Sequence, residues 1–275
     1  MRIPVLVPAL ISASFLLLAQ SHENLDSVLW MQTAVEHDAA YLQTYRQARR
    51  TLDRALKDKN WTAAVEQTAK YKKLKPAIIL DIDETILDNG AAQAQDVIDD
   101  KHLFDPARWD NWVQRGQAGA LPGAVEFTRY AASRGVKIFY VTNRGASQEE
   151  VTRRNLTQWN FPLDDKLDTL YCLGEKPEWS SDKGTRRELI AKNYRVLMLF
   201  GDDLGDFLSD VKKSPEERRK LAEKYSANWG ERWIVLPNPT YGSWEGATYG
   251  FDNTLTVPER LEKKSQLLRG IDKGQ

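Results

Sequence analysis

The stretch Ala77-Ile-Ile-Leu-Asp-Ile-Asp-Glu-Thr-Ile-Leu-Asp88 constrains this chain more than any other. Four apolar residues run into Asp81, Asp83 and Thr85. A short continuous apolar run of this kind predicts a strand buried on both faces, as in parallel sheets. The acids begin where such a strand ends, and in open α/β sheets ligands bind at the carboxyl ends of the strands. Two carboxylates two residues apart leave a strand on the same side. Held in one crevice they repel, and a divalent cation relieves the repulsion. The alternative for a bare Asp-x-Asp is a pair of solvated acids, so the rest of the chain has to decide.

The pattern of strand and helix repeats downstream. Strands are expected at Val136–Val141, Thr169–Leu173, Arg195–Phe200 and Trp233–Leu236. Helices are expected over Ala124–Ser133, Gln148–Trp159, from Ser180 through Lys192, and Pro215–Tyr225, with Gly135 ending the first of these. Strands alternating with helices predict βαβ units. The fold class is therefore α/β: a Rossmann-like, three-layer parallel sheet. Before the first strand, apolar periodicity from Leu25 to about Leu56 predicts a long helix. A short one is expected over Trp61–Tyr71, capped by Asn60. Ala91 to Gly119 reads differently from the sheet. It is helical in parts, carries Phe104, Trp109 and Trp112, and could arch over the end of the first strand. A polar helix is expected beyond Pro258.

Arg2 followed by the apolar run Ile3 to Ala19 and by Ala19-Gln20-Ser21 predicts an export signal cut near Ser21, with a retained anchor as the lesser option. The expected organisation is thus a signal peptide over 1–21 and a helical segment over 22–74. A catalytic core follows over 75–260, with an insertion at about 90–121, and then a tail over 261–275. The single cysteine, Cys172, is expected in the core; no cysteine stands at the cleavage site for a lipid, so no stable membrane anchor is expected. Charges balance at 39 basic and 39 acidic residues, which gives no surplus for a nucleic acid polymer or an anionic membrane. His22, His37 and His102 lie in no motif and are expected at the surface.

Polar groups follow three separate strands: Asp81 and Asp83, then Thr142 and Asn143, then Asp202, Asp203 and Asp206. Lys183 sits at a helix start between the last two groups. In a parallel sheet those ends share one edge and can converge. A nucleophilic carboxylate, a second acid, a hydroxyl, an ammonium and an acidic metal cluster form the inventory that phosphoryl transfer needs. Oxygen-only ligands favour Mg²⁺ over Zn²⁺. Other phosphatase chemistries lack their residues: the sixth residue after Cys172 is Glu178 rather than Arg, no Arg-His-Gly occurs, and no phosphate-binding glycine loop is present.

The motifs D-I-D-E-T, V-T-N-R, D-K-G-T-R-R and G-D-D-L-G-D-F, with L-P-N-P-T-Y-G-S-W-E at 236–245 and V-L-W-M-Q-T at 28–33, resemble the haloacid dehalogenase superfamily. More narrowly they resemble the class C acid phosphatases, whose best-known members are outer-membrane lipoproteins acting as 5′-nucleotidases. The resemblance covers roughly residues 25 to 255. It implies that Asp81 attacks phosphorus and that Asp83 serves as acid and then base. It implies Mg²⁺ held by Asp81, the carbonyl of Asp83 and Asp202, with Asp206 and Asp203 behind them. Thr142, Asn143 and Lys183 would hold phosphate. Phe104, with Trp109 near it, and Tyr241 would sandwich a nucleobase. The family also implies a homodimer and an acidic optimum. The chain departs from the family at Gly90-Ala91-Ala92, where an aromatic is usual, at Asp203, and in lacking the lipid-bearing cysteine. The expected function is therefore an exported Mg²⁺-dependent phosphatase acting on nucleoside 5′-monophosphates. The rivals are a phosphonate, mutase or other phosphotransfer chemistry on the same scaffold, or a non-catalytic binding module.

Overall fold

A computed structural model describes residues 22–68 and 70–270. The expected export signal and the last residues of the tail lie outside the described residues. The chain starts with helices α1 (Leu25–Thr33) and α2 (Val35–Lys57). The single long helix expected here is broken at Ala34, whose ψ of 125° is extended. The break lets each half meet a different partner, since α1 packs on helix α3 (Gly90–Ile98) and α2 on helix α5 (Ala124–Ser133). One face of α2 buries Tyr41, Tyr45, Ala48, Leu52 and Ala55 at helical spacing.

No helix forms over 61–71. The backbone there bonds to a neighbouring strand instead. Ala63 donates to the Val196 carbonyl at 2.8 Å and the Trp61 indole donates to Leu197 O at 2.8 Å. The Gln67 amide donates to Tyr194 O at 2.6 Å and accepts from Val196 N at 3.2 Å. Local periodicity is overridden because the start of that strand needs partners for its buried polar groups.

Strand β1 (Pro76–Leu80) lies at the centre of a five-stranded sheet. The others are β4 (Lys137–Gly145), β5 (Leu170–Leu173), β6 (Arg195–Gly201) and β7 (Trp233–Val235), in the order β5-β4-β1-β6-β7. All pairs are parallel. Leu80 sits level with Tyr140 on one side and Phe200 on the other, so three strand ends meet at one edge. The chain leaves β1 toward β4 and later returns to the opposite side at β6. That makes the β1–β6 junction the topological switch point, where open α/β sheets bind ligands. Two apolar clusters cover the two faces, one built on Tyr41, Tyr45, Phe127 and Phe200, the other on Phe139, Phe207 and Trp233. The fold is the expected three-layer α/β sheet, with Cys172 fully buried.

Helices α6 (Glu149–Gln158), α7 (Gly184–Asn193) and α8 (Pro215–Lys224) follow the expected order. A short helix α9 (Ser243–Thr248) and α10 (Val257–Gln266) close the chain. Strand β4 runs through Thr142-Asn143-Arg144 to Gly145 instead of ending at Val141, because Gly145 still pairs with Leu173 across a register shift. Between β1 and α5 the chain makes an excursion through β2 (Leu87–Asp88), α3, α4 (Pro106–Arg115) and β3 (Gly119–Ala120). The antiparallel β2–β3 pair closes its base. Helix α4 starts where the Asp105 carboxylate accepts from Ala107 N at 2.9 Å with Pro106 next in line, and it stops at left-handed Gly116. His22 and His37 are buried, contrary to expectation: His22 stacks on half-buried His102 at 4.2 Å, and His37 lies 4.7 Å from the Tyr41 ring.

Candidate active site

Asp81 is the first residue past β1, and its N–H donates to Phe200 O at 3.0 Å. Past β6 stand Asp202 and, one tight turn later, Asp206. The Asp206 side chain lies directly over Gly201, where a Cβ would collide with it, so the glycine of G-D-D-L-G-D makes room for the acid. One oxygen each from Asp81, Asp202 and Asp206 lies within 4.8 Å of the others. Lys183, the residue preceding α7, reaches between two of them, donating to Asp81 at 2.5 Å and Asp206 at 2.6 Å. Asp202 accepts from Asn238 Nδ2 at 2.8 Å and from the Thr85 hydroxyl at 3.4 Å.

Burial governs the charges here. It pushes the Asp81 carboxyl up to about 7, against the pull of Lys183. Burial, then the charges of Asp206 and Asp81, raises Asp202 well above the usual carboxylate range. Burial would lower Lys183, but Asp206 and Asp81 overcome it and raise the ammonium instead. Three buried carboxylates served by one ammonium leave an excess of negative charge, and every donor is a hard oxygen. That set fits Mg²⁺.

Asp83 faces away from the cluster. Its Oδ1 accepts from Arg144 Nη2 at 2.7 Å and from Asn89 Nδ2 at 2.9 Å. Helix α2 supports this loop from below, since the Tyr41 and Tyr45 hydroxyls donate to the carbonyls of Glu84 and Thr85 at 2.6 and 2.7 Å. Glu84 holds φ +50° and is buried, and its carboxylate takes the Tyr241 hydroxyl and the Asn89 N–H. Burial, then the nearby charge of Asp83, raises the Glu84 carboxyl well above its ordinary range.

A crevice of about 1290 Å³ runs along this edge. It is lined by Asp81, Asp83, Asn143, Lys183, Asp202, Asp203 and Asp206, and also by Phe104, Trp109 and Tyr241. The aromatic residues from the excursion and from the loop after β7 therefore border the same space, with Phe104 largely exposed. Two expected residues are engaged elsewhere. Thr142 is fully buried, and its hydroxyl accepts from Arg144 N at 3.0 Å. Asp203 accepts from Gly205 N at 2.8 Å and from the Ser243 hydroxyl at 2.7 Å, tying the 204–206 turn to α9. Asp206, expected behind the ligands, stands among them.

Sequence reasoning missed Arg144, Glu84, Asn89 and Trp112 as site residues. Arg144 stands in V-T-N-R and is almost fully buried, a costly state for a guanidinium without a carboxylate partner. Glu84 and Asn89 belong to the loop after β1, where neutral packing residues would suffice if the loop were only a connection.

A family model described as "HAD superfamily, subfamily IIIB (Acid phosphatase)" matches residues 8–244. The chain belongs to this family. The class C acid phosphatase of Bacillus anthracis is 34% identical, with a TM-score of 0.78 over 92% of this chain and 99% of that one. Its tungstate-bound form superposes with a TM-score of 0.79. Among plant proteins, the "Stem 31 kDa glycoprotein" of Glycine max is 29% identical over 140 residues, covering 50% of this chain and 48% of that protein. "Acid phosphatase 1" of Solanum lycopersicum is 26% identical over 164 residues, covering 59% of this chain and 57% of that protein. The chain thus spans about half the length of these plant relatives.

Proposed function

We propose that this protein is an exported, Mg²⁺-dependent phosphomonoesterase that acts on nucleoside 5′-monophosphates through an aspartyl-phosphate. The observation that carries the proposal is the meeting of Asp81, Lys183, Asp202 and Asp206 in one crevice of a chain belonging to an acid phosphatase family. A carboxylate of Asp81 attacks phosphorus and the P–O bond to the leaving alkoxide breaks. Asp83 gives that alkoxide its proton. Asp83 then takes a proton from water, the water oxygen attacks phosphorus, and Asp81 departs as carboxylate. Lys183, already on Asp81, is placed to hold the equatorial phosphate oxygens, with Asn143 at the crevice wall. Thr142 could join them only by giving up its bond from Arg144 N. Mg²⁺ held by Asp81, Asp202, the Asp83 carbonyl and Asp206 would neutralise the phosphate and the attacking carboxylate together.

The helical excursion over about 90–121 serves as the cap. Phe104 and Tyr241 flank a slot for a flat base, with Trp109 beside them, and a tetrahedral oxyanion such as the tungstate of the Bacillus anthracis structure matches the charge of the phosphate end. Export rests on the composition of residues 1–21, and among the described residues no helix is long and apolar enough to cross a membrane. A homodimer is proposed from the resemblance alone. The test is a panel of phosphate esters with the purified mature protein. Mg²⁺-dependent phosphate release from AMP, faster than from ribose 5-phosphate, supports the reading; no release from any ester would sink it.

A further inference from the structure

Asn89 sits at the crossing of every polar contact that the cap makes with the loop after β1. It is fully buried. Its Nδ2 donates to Asp83 Oδ1 at 2.9 Å and to Glu84 Oε2 at 3.3 Å, and its backbone N–H donates to Glu84 Oε1 at 2.8 Å. Its Oδ1 accepts from the indole N–H of Trp112, on cap helix α4, at 2.7 Å, and more distantly from Arg144 Nη2 at 3.5 Å. An indole nitrogen can only donate. Trp112 therefore fixes which end of the Asn89 amide faces it, and with that which end faces Asp83.

The two oxygens of Asp83 are consequently unequal. Oδ1 receives Arg144 Nη2 at 2.7 Å, Asn89 Nδ2 at 2.9 Å and Arg144 Nε at 3.0 Å. Oδ2 receives only the long contact from Arg144 Nε at 3.3 Å. A carboxylate oxygen with three donors has no lone pair left for a proton, so the open oxygen is Oδ2.

We propose that Asn89 is a positioning residue for the acid: seated by Trp112, it saturates Asp83 Oδ1 and leaves Oδ2 as the oxygen that gives and takes the proton. The relay makes proton delivery depend on the seating of the cap helix that walls the leaving-group side of the crevice. This rests on the phosphatase reading above. The same polar chain reaches Tyr241 through Glu84, whose carboxylate accepts both the Tyr241 hydroxyl and the Asn89 N–H.

Leaving-group dependence tests the relay, because a merely structural role would slow all esters alike. Trp112→Phe keeps the ring and removes the donor, so the Asn89 amide is left with the distant Arg144 contact and can turn. Asn89→Ala removes the donor to Asp83 outright. Each variant is compared with wild type on an alkyl phosphate, whose alkoxide needs a proton, and on nitrophenyl phosphate, whose leaving group does not. General acid catalysis contributes about 10²–10⁴-fold. The ratio of the nitrophenyl to the alkyl kcat should therefore rise about tenfold in Trp112→Phe and further in Asn89→Ala, with KM for both esters near wild type. Thermal melts report whether each variant is folded, and Trp112→Phe carries the test if Asn89→Ala is not. An unchanged ratio in folded Trp112→Phe, whether both rates fall or neither does, overturns the relay. If wild type hydrolyses neither ester, it is the phosphatase reading that has failed, and the relay falls with it.

Discussion

Replacing Lys183 by methionine should destabilise the metal-free protein by an amount that depends steeply on pH. The ammonium bridges Asp81 and Asp206, and all three side chains are at most 11% exposed. Removing one partner of a buried ion pair costs about 3–5 kcal/mol, because the charge left behind has neither water nor a partner. At about 2–4 °C per kcal/mol for a domain of this size, Tm should fall by about 6–20 °C in chelator at pH 8. The sign with pH follows from the carboxyls. Asp81 already titrates near 7 in the folded protein against 3.8 ordinarily, so it binds its proton more tightly folded than unfolded. Its favourable contribution is complete below about 3.8 and is lost as pH rises through 7. Without Lys183 that window moves upward and the loss deepens. The variant should therefore sit much closer to wild type at pH 5 than at pH 8. Mg²⁺ binding to the folded cluster should narrow the gap at pH 8 as well. Paired melts at the two pH values, with chelator and with Mg²⁺, make the comparison. A Tm loss that is the same in all four conditions would mean that Lys183 matters for packing rather than charge, and the electrostatic account of the cluster would be wrong.

Asp81→Asn should lose at least about a thousandfold in activity with its melting curve intact, since the covalent route splits a very large barrier; assay of both properties on one preparation checks this. Exhaustive chelation should abolish activity and Mg²⁺ restore it, whereas full activity in chelator would remove the metal from the account. Tyr241→Ala should slow AMP by about tenfold or more relative to ribose 5-phosphate, because stacking is worth about 1–3 kcal/mol per base. Equal losses on the two esters would limit Tyr241 to its bond with Glu84.

What was legible in the sequence was whatever local pattern dictates. The apolar run into Asp81 gave a buried strand, and the repetition of that pattern gave the sheet and the edge on which Asp81, Lys183 and Asp202 meet. Periodicity failed where tertiary partners decide the backbone. Trp61–Tyr71 has helical spacing, yet it is held open by bonds to Val196, Leu197 and Tyr194. Ala34 breaks a continuous pattern because the two halves pack on different helices. Within the site, the sequence named the acids but could not assign their partners. Asp83 is bound by Arg144, 61 residues away, and Asn89 by Trp112, 23 residues away, and no spacing rule encodes either pair. Asp203 looked like part of the acidic cluster, but its carboxylate is taken up by Gly205 and Ser243.

The central claim, that Asp81 becomes phosphorylated during turnover, can be read directly by mass spectrometry of acid-quenched protein. Protein mixed with Mg²⁺ and a phosphate monoester, and quenched within the first turnover, should carry one phosphoryl group on the peptide containing Asp81. The adduct should disappear as substrate is exhausted and be absent from Asp81→Asn. Phosphate released at full rate with no adduct on that peptide, or with the adduct on another residue, would contradict the account.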